Sequence, residues 1–168
     1  MQVWGVTDIG LVRKENQDAY LVRESGGHTI CVVCDGMGGA AGGRLASQIA
    51  TETFVDELER LLAPGMEPEQ LLSVSARAVF AANQAVREAA AESEAYQNMG
   101  TTLVAAVSYA GGTVVTNVGD SRAYHVTREG ITRVTKDHSL VERMVDRGDI
   151  TAGGGRPPHP SRNLITRA

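Results

Sequence analysis

The sequence predicts an α+β fold, mainly antiparallel sheet around one layer of two helices. Three observations predict it. Short runs rich in β-forming residues occupy the chain before residue 40 and again after residue 100. Between them lie two long segments in which apolar residues recur every three to four positions. Most connections between the strand-like runs are too short for the crossover that parallel pairing needs.

The elements follow in order. Residues 2–8 (QVWGVTD) alternate and are rich in β-formers, which predicts a first strand, with Asp8-Ile9-Gly10 as the turn that ends it. Asp18–Arg23 and His28–Cys34 read as two further strands joined by a hairpin turn at Gly26-Gly27. The first helix is predicted over 44–63, where Leu45, Ile49, Phe54, Leu58, Leu61 and Leu62 fall at spacings near 3.6. Pro64-Gly65 breaks it, and Pro68 suits the first turn of a second helix over 68–93. The many alanines of that helix, Ala78, Ala82 and Ala89 among them, point to close packing against the first helix or a sheet.

Strand patterns return in Thr101–Tyr109, Thr113–Val118, Arg122–Thr127 and Ile131–Thr135. Gly111-Gly112, Gly119-Asp120 and Glu129-Gly130 punctuate them. A short helix, Leu140–Arg147, is predicted to end at Gly148. Residues 152–160 read as a mobile loop, and Leu164–Thr166 as the start of another strand.

Bulk properties exclude several classes. At 168 residues the chain reads as one domain. Its formal charge of −4 argues against a nucleic-acid binder that works through a broad basic surface. No basic stretch followed by an apolar one opens the chain, and no run of about 18 apolar residues occurs. Neither a secretory signal nor a membrane span is expected, and the expected location is the cytoplasm. Cys31 and Cys34 form a C-x-x-C, but inside a run that reads as a buried strand. Residues three apart on a strand point to opposite faces, so two small buried residues are expected rather than a redox or zinc pair.

The stretch CDGMGGAAGG, Cys34 to Gly43, lies between a strand pattern and a helix pattern. Gly36-x-Gly38-x-x-Ala41 fits the spacing of a dinucleotide loop. That reading expects an acidic residue about 20 positions on, at the end of the next strand. Here Asp56 falls inside the helix pattern, and Asp35 beside the turn would repel a pyrophosphate. A metal clamp and a purely structural glycine turn fit better, with the dinucleotide loop kept as a third rival. Asp18, Asp35 and Asp120 all lie at the ends of strand patterns or in turns, where carboxylates escape the core. Such oxygens suit magnesium or manganese. Each also has a plainer reading as a turn residue, and Arg13 as a surface ion-pair partner.

Five motifs then occur in a fixed order. They are Thr7-Asp8-x-Gly10-x-x-Arg13-x-x-Asn16-Gln17-Asp18, Val33-Cys34-Asp35-Gly36-Met37-Gly38-Gly39, Met99-Gly100-Thr101-Thr102, Asn117-Val118-Gly119-Asp120-Ser121-Arg122 and Lys136-Asp137-His138-Ser139. Together they resemble the bacterial branch of the metal-dependent protein serine/threonine phosphatases, the type 2C phosphatases. The resemblance implies a sandwich of two antiparallel β-sheets flanked by α-helices, with a Mn2+ or Mg2+ pair in the cleft between the sheets. By matching motif, Asp35 resembles the carboxylate that bridges both metals, and Gly36 offers its carbonyl to one of them. Asp18 resembles a residue that holds metal-bound water, and Asp120 a ligand of an additional, weaker metal. Arg13 resembles the guanidinium that grips the substrate phosphate, a bidentate role suited to arginine.

The implied reaction is hydrolysis of phosphoserine and phosphothreonine in proteins by a metal-activated water, opposing a bacterial serine/threonine kinase. Met37 stands where eukaryotic members carry histidine, as is normal for the bacterial branch. The family continues into Ser-Asp-Gly and Asp-Asn motifs whose aspartates complete the metal pair, and neither occurs here. The expectation is therefore a single incomplete phosphatase domain lacking its last strands and helix, with weak or no activity of its own. Exposed edges would then invite pairing between copies. The rival reading is a noncatalytic, degenerate phosphatase-fold module that binds phosphorylated partners.

Overall fold

The computed structural model describes residues 1–147 together with Ile165 and Thr166. Strands β1 (Asp18–Ser25) and β2 (His28–Met37) form a hairpin whose two turn residues, Gly26 and Gly27, take φ of 58° and 80°. Glycine reaches that conformation without a Cβ clash, and it matches the twist of the strands. So tight a turn fixes the register. Ser25 faces His28, and at the far end of the hairpin Asp18 faces Asp35.

Helices α1 (Ala40–Leu61) and α2 (Pro68–Ala91) follow, then a single 3-10 turn at Glu94–Tyr96. Pro68 opens α2, and Glu67 and Gln70 close a reciprocal capping box there. Next come β3 (Gly100–Thr101), β4 (Leu103–Tyr109) and β5 (Gly112–Val118). They join the hairpin in an antiparallel sheet of order β1-β2-β4-β5, with β3 paired to β2. Strands β6 (Tyr124–Val126) and β7 (Ile131–Arg133) form a second antiparallel sheet, followed by helix α3 (Leu140–Asp146). Ile165 makes an isolated bridge to Ser139. The architecture is α+β with two antiparallel sheets and helices.

The core lies between the larger sheet and the helix pair. Ile30, Val32 and Cys34 of β2 and Leu103, Ala105 and Val107 of β4 point into it at every second position. They meet Phe54, Val55 and Leu58 of α1 and Leu71, Ala78 and Ala82 of α2. Each of the larger side chains contributes about 1.5–3 kcal/mol by leaving water. The sheet's other face carries Tyr20 opposite Val33 and Val22 opposite Cys31. By the same alternation, Asp18 and Asp35 continue that outer face. The two cysteines thus point to opposite faces and are free, and burial raises both thiol pKa values, that of Cys34 to about 11. Among the described residues, no helix is long and apolar enough to cross a membrane.

Several sequence expectations are corrected. Residues 2–8 form no strand, and Trp4 and Val6 are 82% and 91% exposed. Alternation makes a segment compatible with a sheet, but a strand also needs a partner edge. No described strand pairs with this one; its Gly5 carbonyl instead accepts the Tyr20 hydroxyl at 3.3 Å. Helix α1 begins at Ala40 rather than 44 and takes Gly42 and Gly43 into its first turns, against their propensity. The run Thr101–Tyr109 is interrupted at Thr102. The run Arg122–Thr127 shrinks to Tyr124–Val126, and Ile131–Thr135 to Ile131–Arg133. There the Thr135 hydroxyl, not a backbone carbonyl, accepts the Ala123 N–H at 3.0 Å. The expectations for Gly148, for residues 152–160 and for Leu164 fall outside the described residues.

Candidate active site

The outer face of the larger sheet turns acidic at one end because the hairpin places Asp18 and Asp35 opposite one another there. Asp18 opens β1 directly after a local turn in which the Asn16 side-chain oxygen accepts the Asp18 N–H at 3.0 Å. Asn16 therefore does the capping, and the Asp18 carboxylate is left exposed. Asp120 follows Gly119 in the bend after β5. Its charge acts on Asp35, as does that of the exposed Arg13. Asp18, Asp120 and Arg13 thus all lie within reach of the Asp35 charge.

Asp35 titrates above the ordinary aspartate value of 3.8. Partial desolvation is the first cause, followed by the negative charges of Asp18 and Asp120 and a hydrogen bond with Asp18; Arg13 pulls the other way. Like charges gathered without full compensation are what a divalent cation relieves, and every donor here is a hard oxygen. The residues fit Mg2+ or Mn2+. Among the described residues, however, no group of three or more acidic, histidine or cysteine donors stands close enough to enclose an ion.

The glycine loop has a different job from the one its spacing suggests. A Cβ at Gly36 would run into the carbonyl of Gly43. One at Gly43 would lie 2.6 Å from the Gln17 side-chain oxygen, and one at Gly38 would strike the backbone of Asn98 and Met99. These glycines let the end of β2, the start of α1 and the segment before β1 touch backbone to backbone. Gln17 ties the three together: its carbonyl accepts the Gly36 N–H at 3.1 Å and the Ser47 hydroxyl at 2.7 Å. Its side-chain amide donates to the Gly39 carbonyl at 2.9 Å. The dinucleotide reading is overturned, because the space a phosphate would need beside Gly36, Gly38 and Gly43 is filled by protein.

Comparisons with known proteins identify the family. The family model described as Protein phosphatase 2C matches residues 12–142. The chain belongs to the protein phosphatase 2C family. Members of this family are generally metal-dependent. The serine/threonine phosphatase stp of Listeria monocytogenes is 32% identical over 163 residues, covering 96% of this chain and 64% of its own length. PstP of Mycobacterium tuberculosis, a serine/threonine protein phosphatase, is 37% identical over 165 residues, covering 96% of this chain and 30% of its own. Among solved structures, the Streptococcus agalactiae (S. agalactiae) serine/threonine phosphatase superposes with a TM-score of 0.85 at 30% identity, covering 96% of this chain and 65% of its own. The chain spans about two thirds or less of the length of these relatives.

Sequence reasoning assigned no role to three residues that hold this site. Thr102, in the Met-Gly-Thr-Thr motif, bonds to the backbone of Asp35. His138 accepts the Gly119 N–H at its ring Nδ1 (3.3 Å) and donates its backbone N–H to the Gly119 carbonyl (2.8 Å), which pins the Asp120 bend. Asp137 is buried and takes a bidentate grip from Arg122 at 2.6–3.2 Å. The motifs themselves were the only signal, since spacing does not reveal which backbone groups a side chain meets.

Proposed function

We propose that the chain carries part of the catalytic domain of a protein phosphatase that hydrolyses phosphoserine and phosphothreonine with Mn2+ or Mg2+. The observation that supports this reading most is Asp18 facing Asp35 across the hairpin, within reach of the charges of Asp120 and Arg13. In this reading Asp35 and the Gly36 carbonyl would hold the cation pair, Asp18 would hold its water, and Asp120 would serve a further ion. A bound cation supplies the acidity that makes water a competent nucleophile at neutral pH. The chain's own residues do the rest. Asp35 and Asp18 set where negative charge is held on the open face, and Arg13, exposed at the surface, binds and orients the substrate phosphate through paired N–H donors.

The substrates in this proposal are phosphorylated proteins in the cytoplasm, among them a serine/threonine kinase. With one facing carboxylate pair, the 168-residue chain itself is expected to hold the cation weakly and to show weak or no turnover. Strands β1 and β5 are the edges of the larger sheet, and pairing of two copies along one of them belongs to the same proposal. The test is a full-length protein assayed on a phosphothreonine peptide with Mn2+. Turnover that collapses in Asp35→Asn is the expected result; turnover indifferent to that substitution, or none in the parent, rejects the reading.

A further inference from the structure

Thr102 occupies a break in an otherwise continuous ladder. Strand β2 pairs with β3 as Gly36 to Thr101 and with β4 as Val33 to Val104. Both pairings belong to one register, which places Thr102 opposite Asp35. On its other side, the β4–β5 register of Leu103 to Val118 places Thr102 opposite Gly119. Thr102 therefore stands in one cross-sheet row with Asp18, Asp35 and Gly119, the residue before Asp120.

An antiparallel pair at such a position exchanges two backbone hydrogen bonds. Here only one is made in that way, from the Thr102 N–H to the Asp35 carbonyl at 3.0 Å. The Asp35 N–H instead donates to the Thr102 hydroxyl oxygen at 3.0 Å. The Thr102 carbonyl, released from the ladder, accepts the Thr101 hydroxyl at 2.9 Å. The Thr102 hydroxyl also meets the Ser121 hydroxyl at 2.6 Å, so it bonds on both sides. Its methyl fills the space a Cβ at Gly119 would need, 2.6 Å away, where Gly119 holds a φ of 96°. Thr102 is 2% exposed, so water does not substitute for these partners.

We infer that Thr102, acting with Ser121, is a positioning residue that sets the Asp35 backbone and the Asp120 bend relative to one another for cation binding. The inference rests on the reading of Asp35 and Asp120 as cation ligands. Groups that orient ligands typically change metal affinity about 10–100-fold when removed. A side chain with a purely structural role would lower stability without changing affinity selectively.

Three variants of the full chain decide it. Thr102→Val keeps the shape and removes the oxygen, Thr102→Ser keeps the oxygen, and Asp35→Asn is the control. In metal-free protein, exchange of the Asp35 amide measured by NMR accelerates about tenfold in Thr102→Val and stays near wild type in Thr102→Ser. By calorimetric titration with Mn2+ alone, Kd rises about tenfold in Thr102→Val and is restored in Thr102→Ser. Unchanged exchange, or unchanged Mn2+ affinity in Thr102→Val beside a weakened Asp35→Asn, overturns the positioning role and leaves the phosphatase reading standing. Mn2+ affinity indifferent to Asp35→Asn overturns both.

Discussion

Asp18 and Asp35 oppose each other across the β1–β2 ladder, and the hydrogen bond between them forms only when one carboxyl is protonated. Without a cation the ionised Asp35 opposes folding at neutral pH. The Asp35 pKa is raised in the folded protein, so above it the folded state carries a carboxylate that the unfolded chain tolerates better. As pH falls through that raised value towards the ordinary 3.8, the folded state takes up the proton first, and stability is regained. Metal-free protein is therefore expected to melt higher at mildly acidic pH than at neutral pH. Asp35→Asn should raise the neutral-pH Tm of the metal-free chain and flatten that dependence. Added Mn2+ should reverse the order, raising Tm in the parent and leaving Asp35→Asn unmoved. Calorimetric scans across pH, with and without Mn2+, check all three.

Gly36 and Gly43 predict a packing effect that propensity alone would get backwards. Gly43→Ala inside a helix ordinarily stabilises by up to about 1 kcal/mol. Here the new methyl meets the Gln17 side chain first, at 2.6 Å, and the Gly36 backbone only at 3.0 Å, whereas Gly36→Ala drives its methyl straight into the Gly43 carbonyl. Gly36→Ala is expected to cost about 2 kcal/mol or more, and Gly43→Ala less, because a side chain gives way more readily than backbone. Denaturant midpoints of the two variants against the parent measure the difference; a neutral Gly36→Ala contradicts the contact.

What the sequence disclosed and what it hid divide along a physical line. Period-two alternation in Ile30–Cys34 and the turn at Gly26-Gly27 were both legible, and together they determine that Asp18 meets Asp35. A two-residue turn leaves no freedom of register. The segment 2–8 was misread because alternation reports compatibility with a sheet, not the presence of a neighbouring edge. The start of α1 was hidden for the opposite reason: Gly42 and Gly43 look like loop until Met99, Gln17 and Gly36 are packed beside them. Thr102 and His138 were visible only as motif letters, since their partners are backbone groups some 20 to 70 positions away.

Arg13 is exposed, and its charge reaches Asp35, so its removal should separate substrate binding from cation binding. In the full-length protein, Arg13→Ala is expected to raise KM for a phosphothreonine peptide about tenfold or more, with Mn2+ affinity changed far less. Arg13→Lys should recover only part of the loss, because an ammonium does not reproduce the paired donors of a guanidinium. Steady-state kinetics beside Mn2+ titrations distinguish these effects. A fall in Mn2+ affinity matching the rise in KM would assign Arg13 to the cation site instead.

Asp137 is 7% exposed and anchors the segment that carries His138, so its arginine partners should differ in importance. Arg122 grips it with two nitrogens at 2.6–3.2 Å, whereas Arg133 stands at 3.6 Å and divides its contacts with Glu142. Removing the closer partner leaves a buried carboxylate short of charge-assisted bonds, a loss that solvent at the half-exposed guanidinium softens. Arg122→Met is expected to cost about 2 kcal/mol, a fall in Tm of about 4–8 °C in a chain of this size. Arg133→Met should cost less than half of that. Because His138 holds Gly119 from the same segment, Arg122→Met should also loosen the Asp120 bend and quicken exchange of the Gly119 amide. Equal Tm values for the two arginine variants would mean that the bidentate geometry carries no special weight.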